Sequence, residues 1–196
     1  MNIILCGLPM SGKTTIGKLL ADKLKWHFAD TDRLIENGYA AKTGKELSCR
    51  QIFVEEGDLF FRQLEKQQIA SLKGLSGNII AVGGGSLCNE ENIRMLQLAG
   101  DLVYLKAPVK KLWERIQWRG VPAYLDPRDP EKAFLELAEK RMPLYEAAAK
   151  HIVETDGLSE EGVVATICLW KNKIVPVPVP ETTSDLLNAK AQRRKE

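Results

Sequence analysis

Apolar residues gather in five short runs: "NIILC" at 2–6, "HFAD" at 27–30, "NIIAVG" at 78–83, "DLVYL" at 101–105 and "HIVET" at 151–155. Each is short and bounded by polar or turn-forming residues, so each predicts a β-strand. The longer stretches between them predict helices at 12–24, 57–73, 109–118, 131–149 and 159–172. In "DLFFRQLEKQQIASL" Leu59, Phe60, Leu64 and Ile69 recur at roughly helical spacing, and Ser159 offers an N-cap for "EEGVVATICLW". Strands alternating with helices imply an α/β fold, a five-stranded parallel sheet with helices on both faces.

Proline and glycine punctuate this pattern. "RGVPAYLDPRDP", about 119–130, holds three prolines and one glycine and predicts a loop long enough to move. In "KRMPLY" Pro143 follows Arg141 by two positions inside a helical stretch, where it should kink the helix or fall in its first turn. From 173 onward "KIVPVPVPETTSDLLNAKAQRRKE" alternates proline with valine, which excludes a central strand or helix. The expected division is therefore one domain over 1–172 and a poorly ordered, Pro-rich tail over 173–196.

Composition narrows the function classes. A chain of 196 residues, 44% hydrophobic and 28% charged, suits one ordinary soluble domain, and no apolar run approaches the roughly 20 residues of a membrane span. With no secretory leader ahead of the first strand, a cytoplasmic protein without a membrane partner is expected. Residues 173–196 carry five basic and three acidic side chains and so account for the whole net charge of +2. The body is neutral overall, which argues against a nucleic-acid partner. Cys6, Cys49, Cys88 and Cys168 are scattered without metal-ligand spacing and predict reduced thiols. Trp26, Trp113, Trp118 and Trp170 are expected to fill core or interface, and neither His27 nor His151 is given a catalytic role.

The chemistry concentrates in a few stretches. Gly7-Leu8-Pro9-Met10-Ser11-Gly12-Lys13-Thr14 fits G-x-x-x-x-G-K-[ST], a loop whose backbone N–H groups surround phosphate oxygens at a helix N-terminus. Gly7, Pro9, Met10, Ser11, Gly12, Lys13, Thr14 and Thr15 are the candidate ATP-binding residues, Lys13 reaching the β and γ phosphates and Thr14 offering its hydroxyl to Mg²⁺. "DTD" at 30–32 can place Asp30 beside the metal's water shell and Asp32 against an acceptor hydroxyl; it reads equally as a helix-capping turn. "FFRQLE" sets Glu65 three residues after Arg62, able to fix that guanidinium for a carboxylate, or to form a surface ion pair. Gly83, Gly84 and Gly85 follow the third strand, where a ligand could approach the backbone closely or the chain could simply turn.

Taken in order, these motifs resemble the shikimate kinase family over roughly residues 1 to 170. Its pattern joins the phosphate loop to D-x-D, F-R-x-x-E, G-G-G, an arginine-bearing lid and R-x-P-L-Y. The resemblance implies a P-loop, nucleoside-monophosphate-kinase-like α/β/α fold that transfers the γ-phosphoryl of ATP to the 3-hydroxyl of shikimate, with Mg²⁺, on the route to aromatic amino acids. It implies Lys13, Asp32 and Arg119 as catalytic residues, and Asp32, Arg62, Gly83, Gly84, Gly85 and Arg141 around shikimate, with Glu65 bracing Arg62. Thr14, and Asp30 through water, would serve the metal. Shikimate and ATP are the expected partners, and a monomer the expected state. Two departures stand out. Met10 occupies a position where the family usually has glycine, and Val121 precedes Pro122 where it usually has arginine. Arg119 is the expected ATP contact, either as a displaced lid arginine or stacked on adenine; in the latter case Arg128 would supply the lid cation. Another P-loop kinase, for gluconate or a nucleoside monophosphate, and a nucleotide switch remain the alternative functions, although "NKIV" at 172–175 lacks the aspartate of a guanine-reading motif.

Overall fold

The computed structural model describes residues 1–122 and 124–174. The tail expected over 173–196 lies outside the described residues from 175 onward. Five strands, β1 (Ile3–Cys6), β2 (His27–Asp30), β3 (Asn78–Ala81), β4 (Asp101–Lys106) and β5 (His151–Glu154), pair in parallel in the order β2-β3-β1-β4-β5. The expected strand at 78–83 ends two residues sooner, and Val82 still donates its N–H to the Leu5 carbonyl at 3.1 Å.

Alternation along the strands divides the core into two layers. Ile4, Cys6, Ile80, Leu102 and Tyr104 join one cluster, while Ile3, Leu5, Ile79, Val103 and Leu105 join the other. Both faces are apolar because helices cover both, which is why these runs lack polar alternation. Helices α1 (Lys13–Leu24) and α8 (Glu160–Ile174) cover the second layer, and α6 (Val109–Arg119) and α7 (Pro130–Ala148) the first. α8 continues past the expected boundary at 172, and Ser159 caps it by accepting the Gly162 N–H at 3.2 Å. Among the described residues no helix is long and apolar enough to cross a membrane.

Three helices go beyond the expected set: α2 (Thr31–Thr43), α3 (Cys49–Glu56) and α5 (Glu90–Ala99). With α4 (Asp58–Ala70), α2 and α3 enclose a small separate core of Ile35, Tyr39, Ile52 and Phe61. The buried stripe of α4 is Phe61, Glu65 and Ile69, so Leu59 at 83% exposure does not serve the core as its spacing suggested. This register turns Arg62 and Glu65 toward the carboxyl edge of the sheet. Pro143 neither opens a helix nor divides one in two: α7 runs through it, leaving the Glu139 carbonyl without its usual intrahelical donor.

β1 lies between β3 and β4, so the connection from β1 runs to one side of it and the connection from β3 crosses to the other. A crevice forms beyond the carboxyl ends of the strands at such a reversal. The loops after β1, β2 and β3 all open there.

Candidate functional site

Leaving β1, the chain wraps residues 7–12 around the N-terminus of α1. Gly7 (φ 145°) has no room for a side chain, since a Cβ would lie 2.8 Å from the Leu105 carbonyl oxygen. Met10 adopts φ 66°, the left-handed region, although it is not glycine; such a placement costs about 1–2 kcal/mol. Arg115 Nη1 donates to the Met10 carbonyl at 3.0 Å and holds the loop there. Lys13 Nζ donates to the Gly7 and Leu8 carbonyls at 2.9 Å each. Burial lowers the Lys13 pKa against the opposing pull of the Asp32 carboxylate. Ser11 Oγ is buried with no hydrogen-bond partner among the described residues. A tight loop at a helix N-terminus and a confined ammonium together form an anion cradle.

The capping reading of "DTD" holds, and it leaves both carboxylates at the cleft. Asp30 is the N-cap of α2, its Oδ1 accepting the Asp32 N–H at 3.1 Å, and its Oδ2 accepts the Thr14 hydroxyl at 2.8 Å. That hydroxyl and carboxylate, side by side at the mouth of the cradle, match the sparse oxygen set of a Mg²⁺ that keeps most of its waters. Asp32 is the second residue of α2, in its first turn. Burial first, then the like charge of Asp30, raise its carboxyl pKa from an ordinary 3.8 to about 6, while Lys13 works the other way.

Opposite these groups, three successive glycines act as a ruler. A Cβ on Gly83 would fall 2.7 Å from Asp32 Oδ1, one on Gly84 3.5 Å from Arg141 Nη1, and one on Gly85 2.6 Å from Arg62 Nη1. One carboxylate and two guanidiniums, from α2, α7 and α4, are thereby packed along consecutive backbone positions. The turn is fastened on three sides. The Gly83 N–H donates to Thr31 Oγ1 at 3.1 Å, Ser86 Oγ donates to Glu65 Oε1 at 3.0 Å, and the Tyr145 hydroxyl donates to the Gly84 carbonyl at 2.6 Å. Glu65, 4% exposed, accepts from Arg62 Nη1, and Asp58 accepts from its Nε at 3.1 Å. Burial works against the Arg62 charge, yet these carboxylates outweigh it and raise its pKa. The surface-pair reading of Arg62 and Glu65 therefore fails: Glu65 is a buried brace.

Asp32, Arg62, Arg141 and the three glycines border one cleft of about 770 Å³. Of the sequence candidates, Pro9, Met10, Ser11, Gly12, Lys13, Thr14, Thr15, Asp30, Asp32, Arg62, Gly83, Gly84, Gly85, Arg119 and Arg141 line it. Gly7 sits beneath it as an acceptor for Lys13. Arg119 ends α6 on the cleft wall, whereas Arg128 does not line it and pairs with Asp126 at 2.7 Å. The reading that gives the lid cation to Arg128 thus has no support in this arrangement.

Several lining residues escape sequence reasoning. Arg115 lies four residues before Arg119 and so shares its helix face; that spacing was an available signal. Arg50, Phe53, Phe61 and Tyr124 border the other end, and Glu160 and Val163 the wall beside α8, next to Thr155 and Leu158 of "ETDGLS" at 154–159, a stretch that the family resemblance implies lies near the adenine.

Comparison with known proteins gives a consistent result. The shikimate kinase family model matches residues 9–170. A shikimate kinase of Thermodesulfovibrio yellowstonii is 37% identical over 166 residues, covering 85% of this chain and 92% of that protein. One of Symbiobacterium thermophilum is 38% identical over 170 residues, covering 85% and 94%. Among solved structures, the shikimate kinase of Acinetobacter baumannii in complex with shikimate superimposes with a TM-score of 0.79 at 30% identity, covering 90% of this chain and 95% of that one.

Proposed function

The chain belongs to the shikimate kinase family, and from that premise we propose how its cleft carries out the reaction: ATP and shikimate become ADP and shikimate 3-phosphate. The observation that carries this reading is the row of Asp32, Arg141 and Arg62 along Gly83, Gly84 and Gly85, facing Lys13 across one cleft. An acceptor bearing a carboxylate and several hydroxyls needs cations at one end and an anionic acceptor of a proton at the other, and this row supplies both.

Arg62, fixed by Glu65 and Asp58, and Arg141 grip the acceptor carboxylate. Gly84 stays slender enough for the ring to lie against the backbone. Asp32 receives a hydrogen bond from the 3-hydroxyl and takes its proton as the oxygen attacks the γ phosphorus. The bond from that phosphorus to the bridging β oxygen breaks and ADP leaves. A carboxyl raised to about 6 is charged at neutral pH yet basic enough to accept that proton. Lys13 moves from the loop carbonyls onto the β and γ phosphates, and Arg119 neutralises charge from the α6 side. Mg²⁺ held by Thr14, and through water by Asp30, would offset charge on the phosphate oxygens. Little covalent work falls to the protein; placement and charge neutralisation carry the catalysis.

Coupling ADP release to NADH oxidation tests this reading against a panel of shikimate, gluconate and nucleoside monophosphates. Turnover with shikimate is expected. Turnover with gluconate or a nucleotide but not shikimate would replace the acceptor.

A further inference from the structure

The connection between α6 and α7 reaches the acceptor end of the cleft without bringing a cation there. Its residues from Gly120 to Pro127 include no lysine or arginine, and Arg128 is engaged by Asp126. Of the described residues in this connection, Pro122 and Tyr124 border the cleft, and Tyr124 alone of these two has a polar side chain. Tyr124 keeps 45% of its surface exposed, yet burial raises its phenol pKa, with Arg141 opposing and Asp32 reinforcing that shift. Its phenol thus lies within the fields of both acceptor-site groups. That hydroxyl has no hydrogen-bond partner among the described residues.

Leu125, buried in the first core layer, and Val121, packed against that layer, anchor the connection, and one hydrogen bond ties it to the acceptor side. Arg50, on α3, donates from Nη1 to the Val121 carbonyl at 3.2 Å, across 71 positions of sequence. It is the one hydrogen bond among the described residues that joins this connection to the acceptor-side helices. Arg50 itself borders the cleft.

We propose that Tyr124 is a further acceptor-contact residue of this chain, its hydroxyl bonding the bound hydroxy acid beside Arg141 and Asp32, and that Arg50 is the positioning residue that keeps it there through Val121. A phenol donates to a carboxylate or hydroxyl oxygen without adding charge, and a rigid ring loses little freedom in doing so. Arg50 acts at one remove: it fixes the backbone three residues before the phenol. The inference rests on the shikimate-kinase reading of the cleft.

The test compares the unaltered chain with Tyr124→Phe, Tyr124→Ala, Arg50→Ala, Arg50→Lys and the Tyr124→Phe/Arg50→Ala pair. Steady-state kinetics are measured with shikimate and ATP varied separately, and shikimate affinity by calorimetry. Losing one neutral hydrogen bond should raise the shikimate KM of Tyr124→Phe about three- to tenfold, with the ATP KM unmoved. Tyr124→Ala should exceed that. Arg50→Ala should raise the shikimate KM by a similar factor, Arg50→Lys should recover part of the loss, and the pair should be little worse than Arg50→Ala alone. A shikimate KM unchanged in Tyr124→Phe would overturn the contact, and effects of the two sites that multiply in full would overturn the positioning role. Both results leave the acceptor assignment standing. An unaltered chain that does not phosphorylate shikimate would remove that assignment and this inference together.

Discussion

Asp32→Asn should separate stability from catalysis. Burial and the neighbouring Asp30 raise the Asp32 carboxyl from 3.8 to about 6. At 1.36 kcal/mol per pH unit, ionising it in the folded chain costs up to about 3 kcal/mol. Its half-open position in the cleft admits screening by water and reduces the working figure to about 1–2 kcal/mol. The direction follows from proton uptake. Below pH 3.8 the group is protonated in both folded and unfolded chains, and no penalty exists. Between there and about 6 the folded chain retains a proton that the unfolded chain has released, so stability falls as pH rises. Above about 6 the penalty is complete. Asparagine keeps the shape without the charge, so Asp32→Asn should melt about 3–6 °C higher at pH 7.5, a gain that fades toward pH 4. Turnover should fall by roughly 10²- to 10⁴-fold with ATP affinity retained. In the unaltered enzyme, kcat/KM for shikimate should climb as pH passes about 6. Scanning calorimetry at several pH values beside the coupled assay reads both effects. A Tm gain independent of pH, or near-normal turnover, would refute the reasoning.

Further outcomes follow from the same geometry. Gly85→Ala would drive a methyl against Arg62, already held by two carboxylates, and should raise the shikimate KM more than tenfold with the ATP KM unchanged; equal KM values would place Arg62 outside the acceptor site. Arg62→Ala should act in the same direction and to at least the same extent in the same assay. Met10→Gly should be more stable than Met10→Ala by about 1 kcal/mol in urea melts, because glycine relieves the φ of 66° while alanine keeps it and loses the same packing; the reverse order would mean the loop is unstrained. Removing residues 175–196 should leave turnover and Tm within error of the full chain, and a large loss of either would make the tail part of the folded unit.

Much of this fold can be read along the chain because its sheet is buried on both sides. The runs at 2–6, 78–83 and 101–105 are dense in isoleucine, leucine and valine for that reason, whereas the edge run "HFAD" has none, and the phosphate loop announces itself by spacing. The order β2-β3-β1-β4-β5 is different: nothing local in "NIIAVG" says that it inserts between β2 and β1. α3 and α5 carry legible caps, a Ser48 and Gln51 capping box and Asn89 with two glutamates behind it. The apolar stripe of α3 is weak because that helix serves a core of few residues. Arg62, Glu65 and Arg141 are each ordinary surface charges in isolation, and only the three-glycine turn makes them a site. Arg50 gives no signal at all in sequence, since its partner is a backbone carbonyl on a distant connection.

The central claim is that Arg62 and Arg141 converge on the acceptor's carboxylate while Asp32 meets its 3-hydroxyl. A crystal structure of the chain with shikimate and Mg·ADP measures this directly. The account predicts the carboxylate within hydrogen-bond distance of both guanidiniums and the 3-hydroxyl within about 3 Å of an Asp32 oxygen. A shikimate bound the other way round, or with its carboxylate touching neither arginine, would contradict it.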